Sequence, residues 1–280
     1  MPQASIVLFW FSLSLYIGAT VLYAYQFVLR RAKTGWWARF LTGAGFLCQT
    51  LSIGANSIAN DGTPLTGPNQ LMLASWALVL MYFVMEHVIK IKIYGAFLIP
   101  IAVLFMGSAE IIGGFMSPAT LSAVQVQQLD SWRVTFHVAL IVFANAGFAF
   151  GAISSALYLF QAGQLKSHRS SIITRRLPSL STLQTMARRA VLFSFPVYTA
   201  GLLLGILRAI EERVEQWWFD PRIMLSGVVL MTFAVYLVLV FRRNASTRTS
   251  SWVAVAGFVF VAALAVIART IPVGFHLFGL

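Results

Sequence analysis

The stretch 132-WRVTFHVALIVFANAGFAFGAISSALYLFQA-162 decides the fold of this chain. A helix crossing the hydrocarbon of a bilayer needs about 20 mostly apolar residues. This run is longer than that, and no Lys, Arg, Asp or Glu falls between Arg133 and Lys166. The excess predicts a helix that tilts or extends toward Gln164–Lys166. Trp132 and Arg133 mark the membrane interface at its start, so His137 is expected one to two turns inside it.

Seven further apolar stretches flank this one. The spans are expected at about 5–29, 37–58, 70–89, 94–114, 132–162, 189–210, 222–241 and 251–271. Charge then orients them. The connections after the first, third, fifth and seventh spans contain Arg30, Arg31, Lys33 and Arg39; Lys90 and Lys92; Lys166, Arg169, Arg175, Arg176, Arg188 and Arg189; and Arg242, Arg243 and Arg248. Glu86 is the only acid near them. The opposite connections hold Asp61, Glu110, Asp130, Glu211, Glu212, Glu215 and Asp220 against Arg133, Arg208, Arg213, Arg222 and Arg269. Cytoplasmic loops carry the Lys/Arg excess. The chain is therefore expected to be an all-α, polytopic protein of the cell inner or plasma membrane, with eight transmembrane helices and both termini extracytoplasmic.

Composition agrees. Of 280 residues, 59% are hydrophobic and 10% charged, with a mean hydropathy of +0.81, whereas soluble domains carry roughly 25% charge. No polar stretch is long enough for a separate soluble domain, so residues 1–280 are read as a single integral membrane domain. The first apolar segment is too long for a signal-peptide core and no small-residue cleavage site follows it, so it is expected to be retained. The net charge of +12 follows from the positive-inside bias and gives no support to nucleic-acid binding. The lone Cys48 excludes an intramolecular disulfide and any Cys-x-x-Cys motif, and reads as a small core residue. The polar connection from Ser167 to Thr185 reads as a mobile cytoplasmic loop. Pro100, Pro196, Gly201, Gly205 and Pro272 read as packing and kink positions.

Polar groups within membrane helices are costly, so each needs a partner or a task. With this orientation His137, His276 and the run Trp217-Trp218-Phe219-Asp220 all fall at the outer face. Two imidazoles from separate helices can ligate one haem iron from opposite sides, with aromatic surface such as Trp217, Trp218, Phe219 and Phe275 to stack on it. Hydrogen-bonded packing histidines and interfacial aromatic anchors explain the same residues without a ligand. Arg269 and Arg208 could each meet a haem propionate in a bidentate fork. For Arg208, an intrahelical pair with Glu211, Glu212 or Glu215 or snorkelling to the headgroups stands beside that reading. His168 reads as solvated in the basic loop, and His87 as a charge partner beside Glu86. There is no His-Glu-x-x-His pair, phosphate loop or nucleophile elbow. Intramembrane carboxylates are almost lacking, which weighs against ion-coupled transport.

Over nearly its whole length the chain resembles the cytochrome c assembly protein family, in its CcsA/HemX branch. The likeness runs in order through Gly45-Phe46-Leu47-Cys48-Gln49-Thr50, Thr63-Pro64-Leu65-Thr66, Ala74-Ser75-Trp76-Ala77-Leu78, Gly95-Ala96-Phe97 with Pro100, and Phe136-His137-Val138. It continues through Leu157-Tyr158-Leu159-Phe160-Gln161, Leu165-Lys166, Leu177-Pro178-Ser179-Leu180, Gly201 with Gly205, and Asp220-Pro221-Arg222. The resemblance implies haem (haem b) as the bound group, His137 and His276 as metal ligands, and Trp217, Trp218, Asp220 and Arg269 in the haem-binding surround. Trp218-Phe219-Asp220-Pro221-Arg222 is similar to a shortened form of the family's tryptophan-rich haem-presenting motif. Gln49 stands where family members often carry a histidine, so a second haem position is not implied. The expected role is holding or passing haem in cytochrome c assembly, with no bond-forming chemistry by this chain alone. Expected partners are haem, other assembly proteins or an apocytochrome c, and the lipid bilayer. Two alternatives stand beside it: a HemX-like regulator whose loop from Lys166 to Arg189 meets a cytosolic haem-synthesis enzyme, and a small-solute transporter.

Overall fold

The computed structural model describes residues 3–29, 32–59, 68–89, 94–115, 132–167, 176–211, 217–242 and 246–270. Eight α-helices lie among them: α1 (Gln3–Leu29), α2 (Ala32–Ala59), α3 (Pro68–Ile89), α4 (Gly95–Phe115), α5 (Trp132–Lys166), α6 (Leu180–Glu211), α7 (Pro221–Phe241) and α8 (Thr247–Thr270). The all-α expectation holds. Six of the helices are long and apolar enough to cross a bilayer: α1, α3, α5, α6, α7 and α8. This is a multi-pass membrane protein by that measure. In α4 the described apolar stretch is shorter, Gly95–Ile111. Along α2, Lys33, Arg39, Thr42, Gln49, Ser52 and Asn56 dilute the hydropathy.

Those polar residues of α2 are largely turned inward. The chain separates into two compact units, Met1–Ser131 and Trp132–Leu280. In the first, α1 packs on α2 and α4, and α3 on α2 and α4. Helices in hydrocarbon gain little from excluding water, so small residues and interhelical hydrogen bonds hold them together. Ser12 Oγ donates to the Gly45 carbonyl at 2.8 Å, and Tyr16 OH donates to Gln49 Oε1 at 2.8 Å. Gln49 Nε2 donates in turn to the Met72 carbonyl of α3 at 3.1 Å. Ser75 Oγ reaches the Ala102 carbonyl of α4 at 3.0 Å, and Arg39 pairs with Glu86 at 2.7 Å. At the start of α2, Trp36, Trp37 and Phe40 are exposed, and the first and last of them stack. Cys48 is only half-buried rather than in the core.

The second unit is held differently. Ala144, Phe148, Val191, Tyr198, Val229, Phe233, Tyr236, Ala254 and Val261 form one buried cluster drawn from α5, α6, α7 and α8. At its centre the Phe148 and Phe233 rings stack with centroids 3.6 Å apart. Glycines let the backbones approach: a Cβ at Gly151 would lie 3.0 Å from Val191, and one at Gly257 3.0 Å from Phe233. α5 is 35 residues long and reaches Lys166, as its excess length predicts.

One boundary differs from expectation. The segment read as a loop to Thr185 is helical from Leu180, and α6 runs 32 residues to Glu211. Ser179 sets the start: its carbonyl accepts from Leu183 N at 3.0 Å, and its hydroxyl accepts from Thr182 N at 3.3 Å. Arg188 and Arg189 therefore belong to a helix rather than to its approach. His168, with the rest of 168–175, lies outside the described residues.

Candidate functional site

α5 and α6 are antiparallel neighbours, and the start of the first meets the end of the second. His137 lies at that junction, half-buried. Its Nδ1 is 2.7 Å from the Gly201 carbonyl of α6. A carbonyl oxygen only accepts, so Nδ1 bears the proton and donates. In a neutral imidazole the lone pair then belongs to Nε2, the nitrogen such a hydrogen bond readies for a metal.

Glycine makes room for the ring. Gly201 and Gly205 are one turn apart on α6 and present a notch to α5. A Cβ at Gly205 would lie 2.7 Å from His137 Cε1 and 2.9 Å from its Nδ1. One at Gly201 would lie 3.0 Å from Ile141 and 3.1 Å from Leu140 Cβ. These are closer than carbon atoms pack, so the small-x-x-x-small pair is what lets the imidazole lie against the α6 backbone. In the sequence both glycines read as packing positions. Their spacing was the available signal that they also seat His137.

Charges ring the same junction. Arg133 Nη1 donates to Glu211 Oε2, and Arg208 Nη1 stands 3.9 Å from the same oxygen. Arg208 therefore has the intrahelical partner weighed for it, plus a partner-sharing arginine from α5. Arg133 also lies over the Trp132 ring, 5.6 Å from its centroid. This cross-helix bridge has no local sequence signature, because its members are far apart in the chain.

The aromatic segment comes next. Trp217–Phe219 forms a 3-10 turn touching both α6 and α7. Trp218 and Phe219 are exposed, at 54% and 65%, and the two indoles meet edge-to-face with centroids 5.7 Å apart. Asp220 is buried and caps α7: Oδ1 accepts from Arg222 N at 2.8 Å, and Pro221 occupies the first turn. Its carboxylate thus fixes how the aromatic turn enters α7. His276 lies outside the described residues, and of Arg269 only the helical backbone in α8 is described. His87 is exposed in the last turn of α3, where Glu86 pairs with Arg39. Buried Gln49 has both ends of its amide engaged by Tyr16 and Met72. Among the described residues no three His, Cys, Asp or Glu side chains converge as a chelating group would need.

Comparison with known proteins places the chain. Residues 66–276 match the family described as cytochrome C assembly protein, a stretch that includes His137 and ends at residue 276. Protein HemX of Brevibacillus brevis is 27% identical over 240 residues, covering 85% of this chain and 86% of that protein. Protein HemX of Bacillus subtilis (strain 168) is 24% identical over 224 residues, covering 80% of each. The cytochrome c biogenesis protein CcsA of Prochlorococcus marinus (strain MIT 9303) is 27% identical over 236 residues, covering 75% of this chain and 73% of that one. With more than half of its length matched and a polytopic helical fold, the chain belongs to the cytochrome c assembly protein family.

Proposed function

We propose that this chain holds haem b at the extracytoplasmic face of the cell inner or plasma membrane and passes it toward cytochrome c assembly. His137 and His276 are the two iron ligands in this reading, and residues 1–280 are a single integral membrane domain with both termini outside. The observation that carries it is the Nδ1 donation from His137 to Gly201, which leaves the ring's lone pair on Nε2. Haem iron would take such a nitrogen as a ligand, and His276 would supply a second. A pair of imidazoles is a donor set that haem iron takes.

The remaining residues are assigned by position. Trp217 and Trp218 would supply aromatic surface beside the porphyrin, Asp220 holds their turn onto α7, and Arg269 is assigned to a propionate. Haem supplies the redox-active iron; the chain binds and orients it and limits water at the face it covers. The apocytochrome c, or the assembly partner that delivers it, must bring the thiols for attachment, since Cys48 is the only one here. The test is an absorption spectrum of the full-length protein produced with haem precursor. The Soret band should be lost in both His137→Ala and His276→Ala. Full haem content in the double variant would sink the assignment.

A further inference from the structure

Beyond the iron ligand, the junction of α5 and α6 contains two guanidiniums converging on one carboxylate oxygen. We propose that Arg133 and Arg208 form a carboxylate clamp for a propionate of the haem-class ligand, and that Glu211 is the internal carboxylate the ligand displaces. The proposal rests on His137 being the ligand's anchor, as argued above.

Helical spacing puts these groups on one face. Arg133 and His137 are separated by four residues on α5, so their side chains neighbour each other. Gly201, Gly205 and Arg208 are spaced by four and three residues on α6 and share a stripe. Because His137 lies in the glycine notch, the two stripes face each other, and the next residues toward the Trp132 end are Arg133 and Arg208. Both address Oε2 of Glu211 at the last turn of α6. The junction therefore presents a fork-shaped cationic pair one turn from the imidazole.

Charge and exposure favour exchange over a permanent tie. Two arginines address the one carboxylate of Glu211. The side chains of Arg133 and Glu211 are 42% and 43% exposed and that of Arg208 is 22% exposed, so water reaches them. Ion pairs this exposed contribute little to stability, which makes Glu211 replaceable by a carboxylate delivered on a ligand. Guanidinium forks suit planar carboxylates in a way a lysine would not. The Trp132 ring keeps the Arg133 head at the junction during the exchange.

The test titrates the purified full-length protein with haem and with iron protoporphyrin dimethyl ester, whose carboxylates are capped. The native protein should bind haem at least about tenfold tighter than the ester. In Arg133→Gln/Arg208→Gln that preference should vanish, through weaker haem binding with unchanged ester binding, which also shows that the variant is folded. Glu211→Gln should tighten haem severalfold and leave the ester alone. Equal affinity of the native protein for the two ligands would overturn the clamp without needing any variant. So would an unchanged preference in the double arginine variant, while no tightening in Glu211→Gln would overturn the displacement. If both ligands bind through His137 without discrimination, only the clamp falls. If binding of both survives His137→Ala, or neither binds, the haem reading falls and takes the clamp with it.

Discussion

Each unit has a glycine notch that takes an aromatic ring from the preceding helix, and the two notches end in opposite chemistry. In the first unit a Cβ at Gly45 would lie 2.8 Å from the Tyr16 ring. The phenol there runs on to Gln49, whose amide continues to Met72, so the polar chain is a tie between three helices. In the second unit Gly205 admits His137, whose hydrogen bond to Gly201 fixes its tautomer. The same small-residue device thus makes a brace where the guest is a phenol and a metal-competent nitrogen where it is an imidazole. Close approach is generic, and the identity of the guest ring decides whether it can become a site.

Substitutions can separate the two. Gly205→Val should have the largest effect: the added methyls collide with the imidazole, costing about 1–3 kcal/mol of stability as overpacking does, and haem content should fall to background. Thermal unfolding in detergent and a haemochrome assay read both. Gly45→Val should cost a similar amount, about 1–3 kcal/mol, and leave haem content per folded protein unchanged; loss of haem there would break the comparison. Gln49→Leu removes the two hydrogen bonds its amide makes to Tyr16 and to the Met72 carbonyl, for a loss of about 1–2 kcal/mol with an unaltered spectrum. Asp220→Ala removes the α7 cap and should lower stability by about 1 kcal/mol, seen as a small drop in melting temperature. If it abolished haem binding outright, Asp220 would be doing more than capping.

The helices were legible because a bilayer demands long apolar runs, a demand six of the eight meet, and the expected start of α5 at residue 132 matches its observed start at Trp132. The start of α6 lies ahead of its expected position because Arg188 and Arg189 read as a loop boundary. A serine after proline, Pro178-Ser179, was the cap signal that outranks them. At the site, His137 could be singled out as a costly polar group in an apolar run. Asp220, placed in the haem surround by the resemblance, also carries the Asp-Pro signal of the N-cap it forms. The Arg133–Glu211 bridge was out of reach, since it exists only once α5 and α6 are antiparallel.

The ring trio at the start of α2 carries a consequence for bilayer thickness. Indoles exposed at a helix end settle at the headgroup level and resist moving deeper. Because α2 is bonded to α1 through Ser12 and Tyr16 and to α3 through Gln49, it has no freedom to slide alone. A thinner membrane would therefore act on α1, α2 and α3 together, with Trp36, Trp37 and Phe40 as their interfacial anchor.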